Sequence, residues 1–298
     1  MILVAGGTGT LGRETIARLT AADAQVRILT RRAEHASGSD VEVVVGDVRD
    51  PTTLARAVEG VSAVLSAVHG FLGGRGAGPE EVDHQGNRQL VRAAVDAGVE
   101  HFVLLSVLDA GPDHPMSLHR AKYAAEQELR ASDLGWTVLR PSAYVETWAG
   151  IVGAKVASGG PALVFGRAAN PINFVSVQDV AVVAQRALTD PAMRGRTIDL
   201  PGPENLTMTQ LARALGAGKV RHVPRSVLRL LSAIPPAWAP ASSRLTHAAL
   251  VMDTTDMTAD CSELHRQFPD IGWHLPTQVA ERYRDAQRNT DVRIRHVE

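Results

Sequence analysis

Gly6-Gly7-Thr8-Gly9-Thr10-Leu11-Gly12 combines closely spaced glycines with two hydroxyl side chains, a composition suited to folding backbone tightly around an anion. The apolar run Ile2 to Ala5 precedes it, and a helical pattern over Leu11 to Ala21 follows, so the glycines fall in a strand-to-helix turn. In that setting Gly6 permits the turn, Gly9 lets backbone approach a pyrophosphate, and Gly12 lets the helix pack closely on the sheet. The first N–H groups of the helix, over Thr10 to Gly12, lack intrahelical partners and present the positive dipole end to a phosphate. The same glycines alone would mark an ordinary turn; after a strand and before a helix they read as the phosphate loop of a dinucleotide site.

The second apolar run ends at Thr30-Arg31-Arg32, where selectivity for NAD would require an acidic residue against the ribose 2′-hydroxyl. Two guanidiniums suit a 2′-phosphate instead, so NADP(H) is the expected cofactor. Glu34 stands close enough to blunt that preference, and a solvated basic turn is the alternative. Asp47 and Val48 close the third strand, placed for an adenine amino group and ring face; Asp47 reads equally as an N-cap or turn residue beside Asp50-Pro51. Ser66, Ala67 and Val68 end the fourth strand, where small side chains let backbone pass under a ribose, and His69 follows at the same edge.

Short apolar runs alternating with helical spacing predict the elements that must hold these residues. Strands are expected at Ile2 to Ala5, Val26 to Thr30, Val41 to Val45, Ala63 to Ala67, Phe102 to Ser106 and Thr137 to Leu139. Helices are expected at Leu11 to Ala21, Pro51 to Glu59, Glu80 to Ala97 and Leu118 to Ser132. The alternation predicts an α/β fold, a doubly wound parallel Rossmann sheet, over residues 1–142 together with 170–192. Asn173 to Val177 and Asp179 to Leu188 read as a strand and helix returning to that sheet. Residues 143–169 with 193–298 read as a smaller, mainly helical domain for substrate or effector, with Trp148, Phe165, Leu228, Leu231, Trp238 and Leu250 as an apolar pocket or an ordinary core.

The phosphate loop, Gly46-Asp47, Asp83-His84-Gln85-Gly86-Asn87, Ala97 to Ser106, Lys122 with Glu126, and Leu139-Arg140-Pro141 together resemble the atypical short-chain dehydrogenase/reductase superfamily, in its NmrA-like and NAD(P)H:quinone-reductase-like branch. The resemblance covers about the first 190 residues and implies a Rossmann fold and an NAD(P)H cofactor. It also implies a tyrosine four residues before the lysine, on one helix face with it, for proton transfer. Here the lysine is Lys122 and that position is Leu118. Tyr123 projects about 100° around the helix and cannot substitute simply. His119, Tyr144 and His69 are candidate replacement acids, each of which taken alone reads first as an ordinary surface or core polar residue; water is a fourth source of the proton. Lys122 itself reads as a ribose contact or as a surface lysine paired with Glu126 at i+4, and Ser106 as a backbone-bonding residue near the crevice.

With 31 Lys and Arg against 32 Asp and Glu, the formal charge of -1 gives no global field for nucleic acid, and no such partner is expected. The apolar start reads as a strand and not as a signal peptide, and no apolar stretch reaches membrane-spanning length, so no membrane partner is expected either. Cys261, the single cysteine, excludes an internal disulfide and leaves the cytoplasm as default. No metal site is expected, and monomer and homodimer stay open. Three functions compete: an NADPH-dependent oxidoreductase acting on a small apolar or quinone-like acceptor, a non-catalytic NADP(H)-binding sensor, and, less compatible with the missing tyrosine, a sugar-nucleotide epimerase.

Overall fold

The computed structural model describes residues 1–32, 41–232 and 238–295, with side chains described through 287. Its contacts divide the chain into two units: Met1–Pro141 with Val180–Asp199, and Ser142–Asp179 with Leu200–Glu298.

In the first unit, strands β1 (Ile2–Ala5), β2 (Val26–Thr30), β3 (Val41–Val45), β4 (Ala63–Ser66), β5 (His101–Leu105) and β6 (Gly135–Pro141) stand in the sheet order β6-β5-β4-β1-β2-β3. All five pairings among them are parallel. Parallel strands covered on both faces must be apolar nearly throughout, and β1, β2, β4 and β5 are buried at every position. The first three strands match their expected bounds, and the next three differ by a few residues.

Helices α1 (Thr10–Ala21), α2 (Pro51–Val58), α3 (Asn87–Asp96) and α4 (Ser117–Arg130) supply the crossovers. Leu54, Leu90, Phe102, Leu104 and Leu129 are fully or almost fully buried in one core cluster, joining α2, α3 and α4 to the sheet. Strand order reverses between β1 and β4, so the carboxyl ends of these neighbours open the crevice where ligands of doubly wound sheets bind.

Two elements depart from expectation. The seventh strand of the large sheet is Arg196–Leu200, next to β6. Its buried Ile198 and Leu200 alternate with polar residues, an edge-like pattern too short to stand out. The strand Ile172–Val175, expected to return to this sheet, pairs instead with Glu204–Leu206 and Ala143–Tyr144. Asn173 fixes it there: its Oδ1 accepts from Gly202 N at 2.7 Å, and its Nδ2 donates to Gly202 O at 3.0 Å.

The second unit therefore holds this three-stranded sheet and a two-stranded sheet of Val220–Val223 and Ala162–Phe165, beside its helices. Trp148, Phe174, Leu211 and Met252 are buried in its core. Trp148 and Phe165 border a void of only about 10 Å³, scarcely room for one water, and Trp238 is exposed. Of the residues expected to form an apolar pocket or an ordinary core, Trp148 and Phe165 belong to core packing, Leu228 is buried on a helix whose Leu231 is exposed, and Trp238 is exposed. The last helix is Pro276–Arg295.

Candidate active site

The loop between β1 and α1 is shaped by what a side chain would meet. Gly6 has φ +85°, and a Cβ there would lie 2.7 Å from Ala67 O at the end of β4. A Cβ on Gly12 would overlap Gly6 O and lie 2.6 Å from Gly7 Cα, so the helix can start this close to the strand only at glycine. Gly7, to which the sequence reading assigned no role, also leaves room: its Cβ would meet Ile28 and Ile16 side chains at 2.7 and 2.8 Å. Gly9 differs, since its nearest contact would be Gly6 O at 3.3 Å and its other sides are open. No side chain caps α1 at Gly9, and its first turn holds no acid, which leaves the N–H groups of Thr10, Leu11 and Gly12 available to an anion.

A cleft of about 360 Å³ extends from this loop along the carboxyl ends of β1, β2 and β4. Gly6, Thr8 and Gly9 form one end; Arg31, Arg32, Asp47 and Val48 form another, and Ala67, Val68 and His69 line a wall. Thr8 Oγ1 lies 3.4 Å from Thr30 Oγ1, and Arg32 N donates to Thr30 Oγ1 at 3.3 Å, so the basic turn is fastened to β2 beside the loop. Arg31 and Arg32 are both exposed there. Glu34 lies outside the described residues.

Asp47 is not the helix cap. Asp50 caps α2 by accepting from Thr52 N at 3.0 Å. Asp47 accepts from Arg49 Nε at 2.8 Å and Nη2 at 2.6 Å, and this fork holds its carboxyl below the usual aspartate range, ionised at the cleft wall. Arg49 also donates to Gly76 O, tying down the glycine-rich loop after β4, whose Leu72, Gly73 and Ala77 complete the cleft. Neither Arg49 nor this loop was expected, because the partners are 27 residues apart.

The deepest polar structure surrounds Lys122. Its ammonium is buried, donates to Val68 O at 2.8 Å and lies 3.0 Å from Asp83 Oδ1. Asp83, fully buried, accepts from Gly70 N at 2.7 Å through Oδ2. A π-helical segment, Glu80–Gly86, leads into α3, and Asn87 Nδ2 donates to Asp83 O at 2.7 Å. π turns recur at functional sites. Ser66 donates to Asn87 Oδ1 at 2.5 Å and is fully buried. It therefore faces inward, away from the cleft, unlike Ala67 and Val68.

Lys122 thus pairs with Asp83 and not with Glu126. Glu126 accepts from Arg140 at 2.8 and 2.6 Å, from Arg130 at 3.0 Å and from Ser106 Oγ at 2.5 Å. Ser106 bonds that side chain and not the backbone. His119 is buried and stacked on His114 with centroids 3.8 Å apart; desolvation, then the His114 charge, pushes it down to about 3. At neutral pH its ring is uncharged and not an imidazolium acid, and its buried Nδ1 has no hydrogen-bond partner among the described residues. Tyr144 lies in the second unit, where burial first and the Glu146 carboxylate second push its hydroxyl up, so it stays protonated.

The glycine cradle, the open helix start and the cleft along three strand ends fit a dinucleotide. A model of the NAD(P)H-binding family matches residues 6–191. The chain belongs to that family. NAD(P)H is its cofactor, in agreement with the resemblance to atypical short-chain reductases. An NAD(P)H azoreductase of Xenophilus azovorans is 30% identical over 226 residues, 75% of each chain. A (4-alkanoyl-5-oxo-2,5-dihydrofuran-3-yl)methyl phosphate reductase of Streptomyces griseus is 38% identical over 227 residues, 72% of this chain and 74% of its own. Among solved structures, an NADPH-dependent quinone oxidoreductase of Escherichia coli, complexed with NADPH, superposes with TM-score 0.75 over 95% of this chain and 99% of its own at 22% identity. That likeness bears on the fold, a parallel Rossmann sheet.

Proposed function

We propose that the protein is an NADPH-dependent reductase of conjugated, electron-poor acceptors such as quinones, azo compounds and unsaturated lactones. One observation carries this reading: the lysine of the superfamily is held by Asp83 and by the carbonyl of Val68, a residue that lines the cleft, while Leu118 occupies the place of the proton-donating tyrosine. The related azoreductase and dihydrofuranyl reductase act on acceptors of that electron-poor kind. Bound NADPH supplies a hydride. The residues of this chain bind and orient: Gly6 to Gly12 hold the pyrophosphate, Arg31 and Arg32 the 2′-phosphate, Asp47 and Val48 the adenine, and Lys122 the nicotinamide ribose. An electron-poor acceptor spreads the charge it receives over its conjugated system and takes its proton from water. A simple ketone gains no such stabilisation, and a positioned acid contributes about 10² to 10⁴ in rate.

Purified protein is therefore expected to consume NADPH with quinones and azo dyes and negligibly with ketones. Leu118→Tyr, which restores the i, i+4 pair with Lys122, is expected to raise ketone reduction. Complete inactivity toward every acceptor with tight NADPH binding would favour a sensor. Rapid ketone turnover by the unaltered protein would show that another acid is present.

The basic turn sets a second expectation. One charge-assisted bond to a 2′-phosphate is worth about 1.5 to 3 kcal/mol, so NADPH should bind at least about tenfold more tightly than NADH. Calorimetric titration checks this, and Arg31→Ala/Arg32→Ala should erase the difference. Equal affinities in the unaltered protein would mean that the turn is only solvated. We place the protein on the cytoplasmic side, which its protection from protease added to intact cells tests; among the described residues, no helix is long and apolar enough to cross a membrane.

A further inference from the structure

We propose that the helix Arg225–Ser232 and Trp238 form a docking surface for an anionic lipid bilayer, on which the protein sits peripherally. Val227, Leu230 and Leu231 stand at i, i+3 and i+4 and share a helix face. Leu228, one position on, is fully buried, and the helix packs against the helix Pro240–Met252. Leu230 is 73% exposed and Trp238 85%. Val227, Leu230 and Leu231, three large apolar side chains left in water on one helix face, mark an interaction site.

Charge indicates what covers them. From Lys219 to Met252 the sequence holds Lys219, Arg221, Arg225, Arg229 and Arg244 and no Asp or Glu, although the whole chain carries a formal charge of -1. Arg225 is paired with Asp253, Nε to Oδ2 at 2.5 Å. Arg221 and Arg229 are exposed and make no ion pair with a described residue. Exposed leucines and a tryptophan in a segment whose Arg221 and Arg229 are exposed and whose one paired guanidinium, Arg225, is neutralised by Asp253 match the gradient of a bilayer interface: the apolar groups enter the boundary of headgroups and chains while Arg221 and Arg229 meet lipid phosphates. A second copy of this surface would instead set like charges against each other. No described helix can span a membrane, so the contact lies on the bilayer.

Flotation of the full chain with vesicles of equimolar phosphatidylcholine and phosphatidylglycerol, against vesicles of phosphatidylcholine alone, tests the surface. Binding is expected to the anionic vesicles only and to fall as salt rises. Leu230→Glu/Trp238→Glu, both at exposed positions, should lower partitioning at least about tenfold with circular dichroism and NADPH affinity unchanged. Arg221→Glu/Arg229→Glu should act in the same direction. Equal binding to both vesicles, no binding to either, or a dimer abolished by Leu230→Glu in a protein that ignores lipid would overturn the proposal. NADPH binding is read separately, so the cofactor site and this surface stand or fall independently.

Discussion

Gly9→Val is expected to abolish NADPH binding in a protein that remains folded, whereas Gly12→Val should unfold or strongly destabilise it. The two glycines stand three residues apart in one loop, yet their surroundings are opposite. Gly9 has φ -73° and ψ 169°, extended backbone open to valine, and its Cβ would touch only Gly6 O at 3.3 Å. The added methyls would project into the space needed by the pyrophosphate. Loss of two charge-assisted bonds of about 1.5 to 3 kcal/mol each corresponds to roughly 10² to 10⁴ in affinity. At Gly12 the new atoms would overlap the backbone of Gly6 and Gly7, which cannot turn aside as a side chain can. Overpacking of that kind costs about 3 kcal/mol or more. Circular dichroism melting with calorimetric titration separates the outcomes. A Gly9→Val protein that still binds NADPH tightly would remove this loop from the site.

The second large effect is expected at Asp83. Asp83→Ala leaves the buried Lys122 ammonium without its counter-charge and Gly70 N without its acceptor. Breaking a buried pair from one side costs about 3 to 5 kcal/mol, which for a protein of this size lowers Tm by roughly 10 °C. The double change Asp83→Ala/Lys122→Met removes both charges and should recover much of that stability. It should not recover NADPH turnover, because the ribose contact is lost with the lysine. A single Asp83→Ala change that leaves Tm within about 1 °C would mean that the pair is solvated and that Lys122 is held by other groups.

What was legible in the sequence was local. The phosphate loop is contiguous with the strand before it and the helix after it, so glycine spacing, apolar run and helical pattern all lie within Ile2 to Ala21. The Arg31-Arg32 turn was legible for the same reason, as was the absence of a tyrosine at Leu118. Partners distant along the chain were not. Asp83 lies 39 residues before Lys122, on a π turn whose wider pitch brings Asp83 and Asn87 inward together. The ordinary i+4 rule pointed to Glu126, which proved to be held by Arg140, Arg130 and Ser106. Ser66 was read with Ala67 and Val68 as one small-residue wall, but alternation along a strand turns its hydroxyl inward to Asn87. Whole-chain charge concealed a segment from Lys219 to Met252 with no acid, and its Leu228, Leu231, Leu250 and Trp238 were read as a pocket or an ordinary core. A charge count taken by segment would have found it.

The claim that the proton does not come from a protein acid is tested most directly by the pH dependence of kcat for NADPH oxidation with a water-soluble quinone, over roughly pH 7 to 9. His119 lies near 3, burial pushes His69 below its ordinary 6.5, Tyr144 is pushed up from its ordinary value near 10, and Leu118 cannot titrate, so none of these positions changes protonation in that window. The profile is expected to be flat. A limb falling with rising pH, with a pKa inside the window and abolished by His69→Gln, His119→Gln or Tyr144→Phe, would contradict this reading and identify the missing acid.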